Sequence, residues 1–84
     1  MENKVYDIFK KLVERWPSEV VARRDVSKFS GGAVTPKHLA NVDSLGTGPD
    51  GRILVAGHVC YPVRSLAAWL CERTKTVNAK HRKQ

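Results

Sequence analysis

The stretch Asp25-Val26-Ser27-Lys28-Phe29-Ser30-Gly31-Gly32-Ala33-Val34-Thr35-Pro36-Lys37-His38-Leu39-Ala40-Asn41-Val42-Asp43-Ser44-Leu45-Gly46 carries the architecture of this chain. Asp25 to Phe29 offers one or two helical turns with Val26 and Phe29 inward, and Gly31-Gly32 supplies the left-handed positions that end a helix. A second helix starts almost at once. Thr35 is an N-cap candidate whose hydroxyl accepts a bond from an orphan amide, and Pro36 fits the first helical position, where its missing N–H costs nothing. Val34 and Leu39 have the spacing of a hydrophobic staple. The second helix is expected to run to Leu45 and close at Gly46, with Leu39, Val42 and Leu45 facing the core. That turns Lys37, His38, Asn41 and Ser44 toward solvent. A short helix, a glycine-containing turn of about four residues and a second helix make the arrangement of a helix-turn-helix.

Downstream, Gly46-Thr47-Gly48-Pro49-Asp50-Gly51 is turn chemistry throughout. Arg52-Ile53-Leu54-Val55 and His58-Val59-Cys60-Tyr61 flank Ala56-Gly57 and read as a two-strand hairpin with a tight turn. Pro62 closes the second strand. Val63, Leu66, Ala67 and Leu70, with Trp69 beside them, then have the period of a final helix ending near Arg73 or Thr74. Upstream, Val5, Ile8, Phe9, Leu12, Val13 and Trp16 line one face of a helix expected over Asn3 to Arg15, and Pro17 stops it. Val20-Val21-Ala22 favours an extended edge, with a helix continued from Ser18 as the alternative. The expectation is an α+β domain over residues 1–74 with an added N-terminal helix. Residues 75–84 have almost no apolar content and are expected to form a basic, disordered tail.

Composition narrows the function classes. The 84 residues are 42% hydrophobic and 27% charged, an ordinary globular balance. A chain this short buries roughly 60% of its unfolded surface, which excludes barrels and doubly wound sheets. Fifteen Lys and Arg against eight Asp and Glu leave a net charge of +7, favouring a polyanionic partner. The basicity is divided: residues 1–71 carry ten bases and seven acids, or +3, and residues 72–84 carry five bases and one acid, or +4. Two cysteines, Cys60 and Cys71, are too few for a disulfide framework, so a reducing cytoplasm is expected. The N-terminus lacks the apolar stretch of a signal peptide, and no run of about 18 apolar residues would span a membrane.

Chemical motifs are few. Gly46 to Gly51 matches G-x-G-x-x-G literally, but a dinucleotide site needs a strand before the loop and a helix after it, and the order here is reversed. Pro49 also removes an amide from that loop. His58, Cys60, Cys71 and His81 lack the paired spacing of zinc ligands, so no metal or cofactor is expected and the cysteines read as small apolar residues. No nucleophile elbow, H-E-x-x-H, P-loop lysine or close carboxylate pair is present, and the chain is not expected to be an enzyme. Trp16 and Trp69 sit at helical spacing with other apolar residues, as core rather than base-stacking platforms.

The second helix of the motif is the informative element. Such a helix enters the major groove of double-stranded DNA with its N-terminal part against base edges. Lys37 can donate to guanine O6 or N7, Asn41 can pair with adenine N6 and N7, and His38 can do either, so these three are the expected base-reading residues, with Thr35 and Ser44 beside them. Arg23, Arg24 and Lys28, at or near the first helix, and Arg52 and His58, on the hairpin, are the candidates for DNA backbone contact.

Four segments carry a family resemblance in this order: Thr35-Pro36-Lys37-His38-Leu39-Ala40-Asn41, Ser44-Leu45-Gly46-Thr47-Gly48-Pro49, Gly57-His58-Val59-Cys60-Tyr61 and Leu66-Ala67-Ala68-Trp69-Leu70. With them the chain resembles the small winged helix-turn-helix proteins of the excisionase and AlpA type, related to the MerR DNA-binding domain. The resemblance implies a recognition helix at residues 35–45, a wing at 52–61, and regulatory or recombination roles linked to prophages and other mobile elements. Two features depart from it. Arg64 and Ser65 stand where many relatives have Ser or Thr followed by an acid, and the N-terminal helix is an addition that either packs over the domain or mediates pairing. The expected partner is double-stranded DNA, bound as a homodimer or in tandem because one such module is small. The alternatives are a protein-interaction module using the same face and an RNA-binding regulator.

Overall fold

The computed structural model describes residues 4–77. Its elements in chain order are α1 (Lys4–Arg15), β1 (Val20–Ala22), a 3-10 turn (Arg23–Asp25), α2 (Val26–Phe29), α3 (Pro36–Ser44), β2 (Ile53–Val55), β3 (His58–Pro62) and α4 (Val63–Glu72). The described residues therefore form an α+β domain of four α-helices and one three-stranded antiparallel sheet. The expected helix start at Asn3, and Lys80, His81, Arg82 and Lys83 of the expected tail, lie outside the described residues.

Two helix ends of the same kind frame the α2–α3 segment. After α2 the Gly31 amide bonds the Lys28 carbonyl at 3.4 Å and the Gly32 amide bonds the Ser27 carbonyl at 2.7 Å. After α3 the Gly46 amide bonds the Asp43 carbonyl at 3.1 Å and the Thr47 amide bonds the Val42 carbonyl at 2.9 Å. Both are paired bonds to the last carbonyls of a helix, which need a left-handed residue, and Gly46 supplies it at φ 79°. Between the two ends, Thr35 is extended and its hydroxyl accepts from the His38 amide at 3.1 Å, with Pro36 opening α3. Ser27 Oγ donates to the Val34 carbonyl at 2.8 Å, so the turn is bonded back onto α2.

β3 is the central strand, in the order β1-β3-β2. Val20, Val21 and Ala22 pair with Pro62, Tyr61 and Cys60. On the other side Ile53, Leu54 and Val55 pair with Cys60, Val59 and His58. The Val20–Ala22 run is thus an edge strand, and the β2–β3 hairpin turns at Ala56-Gly57 as its composition predicts. Ala56 takes φ 51° there, a conformation Asn or Gly accepts more readily. The Val63 amide donates to the Glu19 carbonyl at 2.8 Å, and α4 begins without a side-chain cap, Pro62 standing at the cap position.

Val21, Val26, Phe29, Leu39, Tyr61, Val63, Leu66, Ala67, Trp69 and Leu70 form one buried cluster, with Phe9, Leu12, Val13, Trp16, Val34, Val42 and Val59 packed against it. The Trp16 and Phe29 rings meet edge to face at 5.3 Å. α1 docks on α4. Of the expected apolar stripe of α1, Ile8 is 57% exposed, because its position lies about 60° from Val5 and about 100° from Phe9, at the margin of the packed arc.

The inward face of α3 differs from the one expected. Leu39 is fully buried and Val42 half-buried, but Leu45 is 74% exposed and Asp43 takes the inward position instead. Each step of three residues falls about 60° short of a full turn, so two such steps carry Leu45 out of the core, while one step of four from Leu39 keeps Asp43 within it. Leu39→Ala is accordingly expected to destabilise the domain by about 2–5 kcal/mol. Leu45→Ala is expected to change stability by no more than about 0.5 kcal/mol. Urea unfolding of both variants checks the assignment, and comparable losses would refute it.

Candidate functional site

Taking about 100° of rotation per residue, Lys37, Asn41 and Ser44 fall within an arc of about 60° on α3, with His38 and Leu45 at its edge. All five are exposed. Thr35 is exposed at the start of the same helix, its oxygen engaged as the cap. Ser44 Oγ donates back to the Asn41 main-chain carbonyl at 3.1 Å. The His38 ring lies 6.2 Å from the ring of Trp69, which marks the boundary of this face. α1 packs on α4 rather than over this surface.

Trp69 is a core residue, as its spacing implies, and it also ties down the end of α3. Its Nε1 donates to the Thr47 carbonyl at 2.8 Å, and Arg73 stacks over the indole at 4.1 Å while donating to the same carbonyl at 3.2 Å. Of the expected backbone-contacting residues, Arg24, Lys28, Arg52 and His58 are exposed. Arg24 and His58 come together with Arg23, Gly57 and Val59 around a recess of about 280 Å³ between the 3-10 turn and the hairpin. Lys28 stands apart on α2.

Arg23, also expected at the DNA backbone, keeps 26% of its side chain exposed while its guanidinium is bonded within the fold. Its Nη2 donates to Asp43 Oδ2 at 2.6 Å and its Nε to Tyr61 Oη at 3.0 Å, and the Tyr61 hydroxyl donates to the same Asp43 oxygen at 2.5 Å. The Asp43 side chain is only 4% exposed. A buried carboxylate demands charged or hydrogen-bonding partners, and Arg23 and Tyr61 are those partners. Asp43 Oδ1 accepts no hydrogen bond from the described residues; Arg52 Nη1 stands 3.8 Å from it. The sequence carries only a weak signal of this cluster, an acid four residues from a buried leucine on a helix.

The hydrogen bond from Arg23 to Tyr61, and then the bond and charge of Asp43, raise the Arg23 pKa against the opposing effect of burial. Burial, followed by the bond to Asp43, raises the Tyr61 phenol above its ordinary value of 10.0. The folded state therefore favours the neutral phenol. That contribution is fully present below the unfolded pKa and is lost as pH rises through the higher folded one. Urea unfolding at several pH values above about 9 is expected to show an alkaline loss of stability that Tyr61→Phe reduces, and equal alkaline slopes for both proteins would contradict it.

Among the described residues no group of three or more His, Cys, Asp and Glu side chains gathers as metal ligands, and Cys60 and Cys71 are unpaired. No helix among them is long and apolar enough to cross a membrane. Comparison with known protein families, with curated proteins and with solved structures finds no match to this chain.

Proposed function

We propose that the domain is a winged helix-turn-helix of the excisionase and AlpA type that binds double-stranded DNA, with α3 as recognition helix and the β2–β3 hairpin as wing. One observation carries the reading: Lys37, Asn41 and Ser44, with His38 and the exposed Leu45 at the edge, form a largely polar face on α3 that no other element covers. A helix of this width fits the major groove, and these side chains match its donor and acceptor pattern. Arg24, Lys28, Arg52 and His58 are exposed on the 3-10 turn, on α2 and on the hairpin with its approach, and are the candidates for contact with the phosphates that flank a helix seated in the groove. Arg23, committed to Asp43, acts by supporting the interface instead.

The net charge of +7 provides the sequence-independent attraction that brings such a domain to a duplex. A single module of this size buries roughly 600–1,000 Å², so we propose binding as a homodimer or in tandem, in the service of transcriptional regulation or site-specific recombination. A second reading, a protein-interaction module, draws on Ile53, Leu54 and Val55, which leave the hairpin edge apolar and exposed. Association that survives nuclease and high salt would favour it.

Selection of bound sites from a random duplex pool, followed by titration, tests the first reading. Asn41→Ala is expected to lower discrimination by about 1–3 kcal/mol at the affected base pair. Lys28→Ala is expected to weaken all sequences alike and to flatten the dependence of log K on log salt by about one unit. If duplex titration at moderate salt leaves the amide signals of residues 35–45 unmoved, the assignment is wrong.

A further inference from the structure

We infer that Asp43 is a positioning residue: from beneath α3 it fixes the angle between that helix and the β2–β3 hairpin, and so governs discrimination among DNA sequences more than strength of binding. The inference rests on the DNA-binding reading above and extends it to a residue that touches no base.

The contacts of this one carboxylate come from four separate segments. Oδ2 receives Arg23 of the 3-10 turn and Tyr61 of β3. Oδ1 faces Arg52, the residue that leads into β2. The Gly48 backbone lies so close to Oδ1 that a methyl group there would collide with it. Burying an acid is unfavourable beside an apolar residue of similar volume, so close packing alone gives no reason for one here. What the acid adds is direction, because hydrogen bonds weaken steeply away from linear geometry. Two donors on one oxygen hold the axial rotation of α3 against the sheet.

Arg52 completes the device. Its side chain is about half exposed, and at 3.8 Å it is held by the charge of Asp43 without a hydrogen bond. The guanidinium thus has a carboxylate behind it and open solvent in front, where a phosphate would approach. Base-edge bonds require side chains in register with the groove, whereas phosphate attraction tolerates misalignment. Loss of the anchor therefore acts on the first and spares the second.

The test uses the full chain and two variants. Asp43→Asn keeps the shape and removes one negative charge, while Gly48→Ala presses on the carboxylate without changing any charge. Affinities are measured for the selected duplex and for an unrelated duplex at the same salt. For each variant the ratio of the two is expected to fall by about ten-fold or more, which corresponds to about 1.4 kcal/mol. Affinity for the unrelated duplex is expected to hold or rise. Residual dipolar couplings of the DNA-free proteins are expected to report a changed angle between α3 and the hairpin, with cooperative unfolding retained. An unchanged ratio, or equal loss of both affinities, would overturn the role in discrimination. An unchanged angle in the folded variants would overturn the positioning role itself, whether or not DNA binds. Failure of the unaltered chain to bind any duplex would instead remove the DNA reading and, with it, only the discrimination claim. If Asp43→Asn does not fold, Gly48→Ala carries the same measurements.

Discussion

A single buried acid organises this small domain. Asp43 sits on the inner side of α3 and is met there by a cation from the 3-10 turn and a phenol from the central strand. The three groups form a closed ring, since Arg23 also donates to the Tyr61 oxygen. Each member depends on the others: without Arg23 the buried carboxylate would lose its hydrogen-bonded cation and keep only Arg52 at 3.8 Å, and without Asp43 the Tyr61 hydroxyl would lose its acceptor. The sheet, the 3-10 turn and α3 are thereby joined by bonds with definite direction, beyond the apolar contacts that bring them together.

This arrangement separates the two sides of α3. The inner side holds Leu39 and Asp43, and its end is fastened through Thr47 to Trp69 and Arg73 of the C-terminal region. The outer side is left with side chains that make few demands on the fold. α1 contributes its apolar face to α4, away from this surface, so the extra helix enlarges the core without hiding the polar face. A helix anchored on its inner side and polar on its outer side would need little ordering on contact with a partner.

Features written in short-range chemistry were legible from residue types alone. The cap at Thr35, the proline at the first helical position, the glycine stops and the Ala56-Gly57 turn each involve residues within about four positions of one another. Long-range features were not. Val20–Ala22 has the composition of a strand, but its partner Cys60–Pro62 lies some forty residues away and only the folded chain identifies it. Asp43 was hidden for a related reason, since Arg23 and Tyr61 are 20 and 18 residues distant. Apolarity also misleads: the three-residue spacing of Leu39, Val42 and Leu45 points Leu45 inward, and the same drift along the helix conceals the acid that belongs there. The polar face of α3 was legible nonetheless, because Lys37, Asn41 and Ser44 lie opposite Leu39 whichever neighbour completes the inner side.

The bare margin of the sheet has a colloidal consequence. β2 offers unpaired backbone groups along an apolar strip of Ile53, Leu54 and Val55, a template on which another extended chain adds readily. Seven excess positive charges oppose such pairing by mutual repulsion, whose reach shrinks to about 3 Å in molar salt. Raising the ionic strength therefore removes a barrier to pairing between such edges.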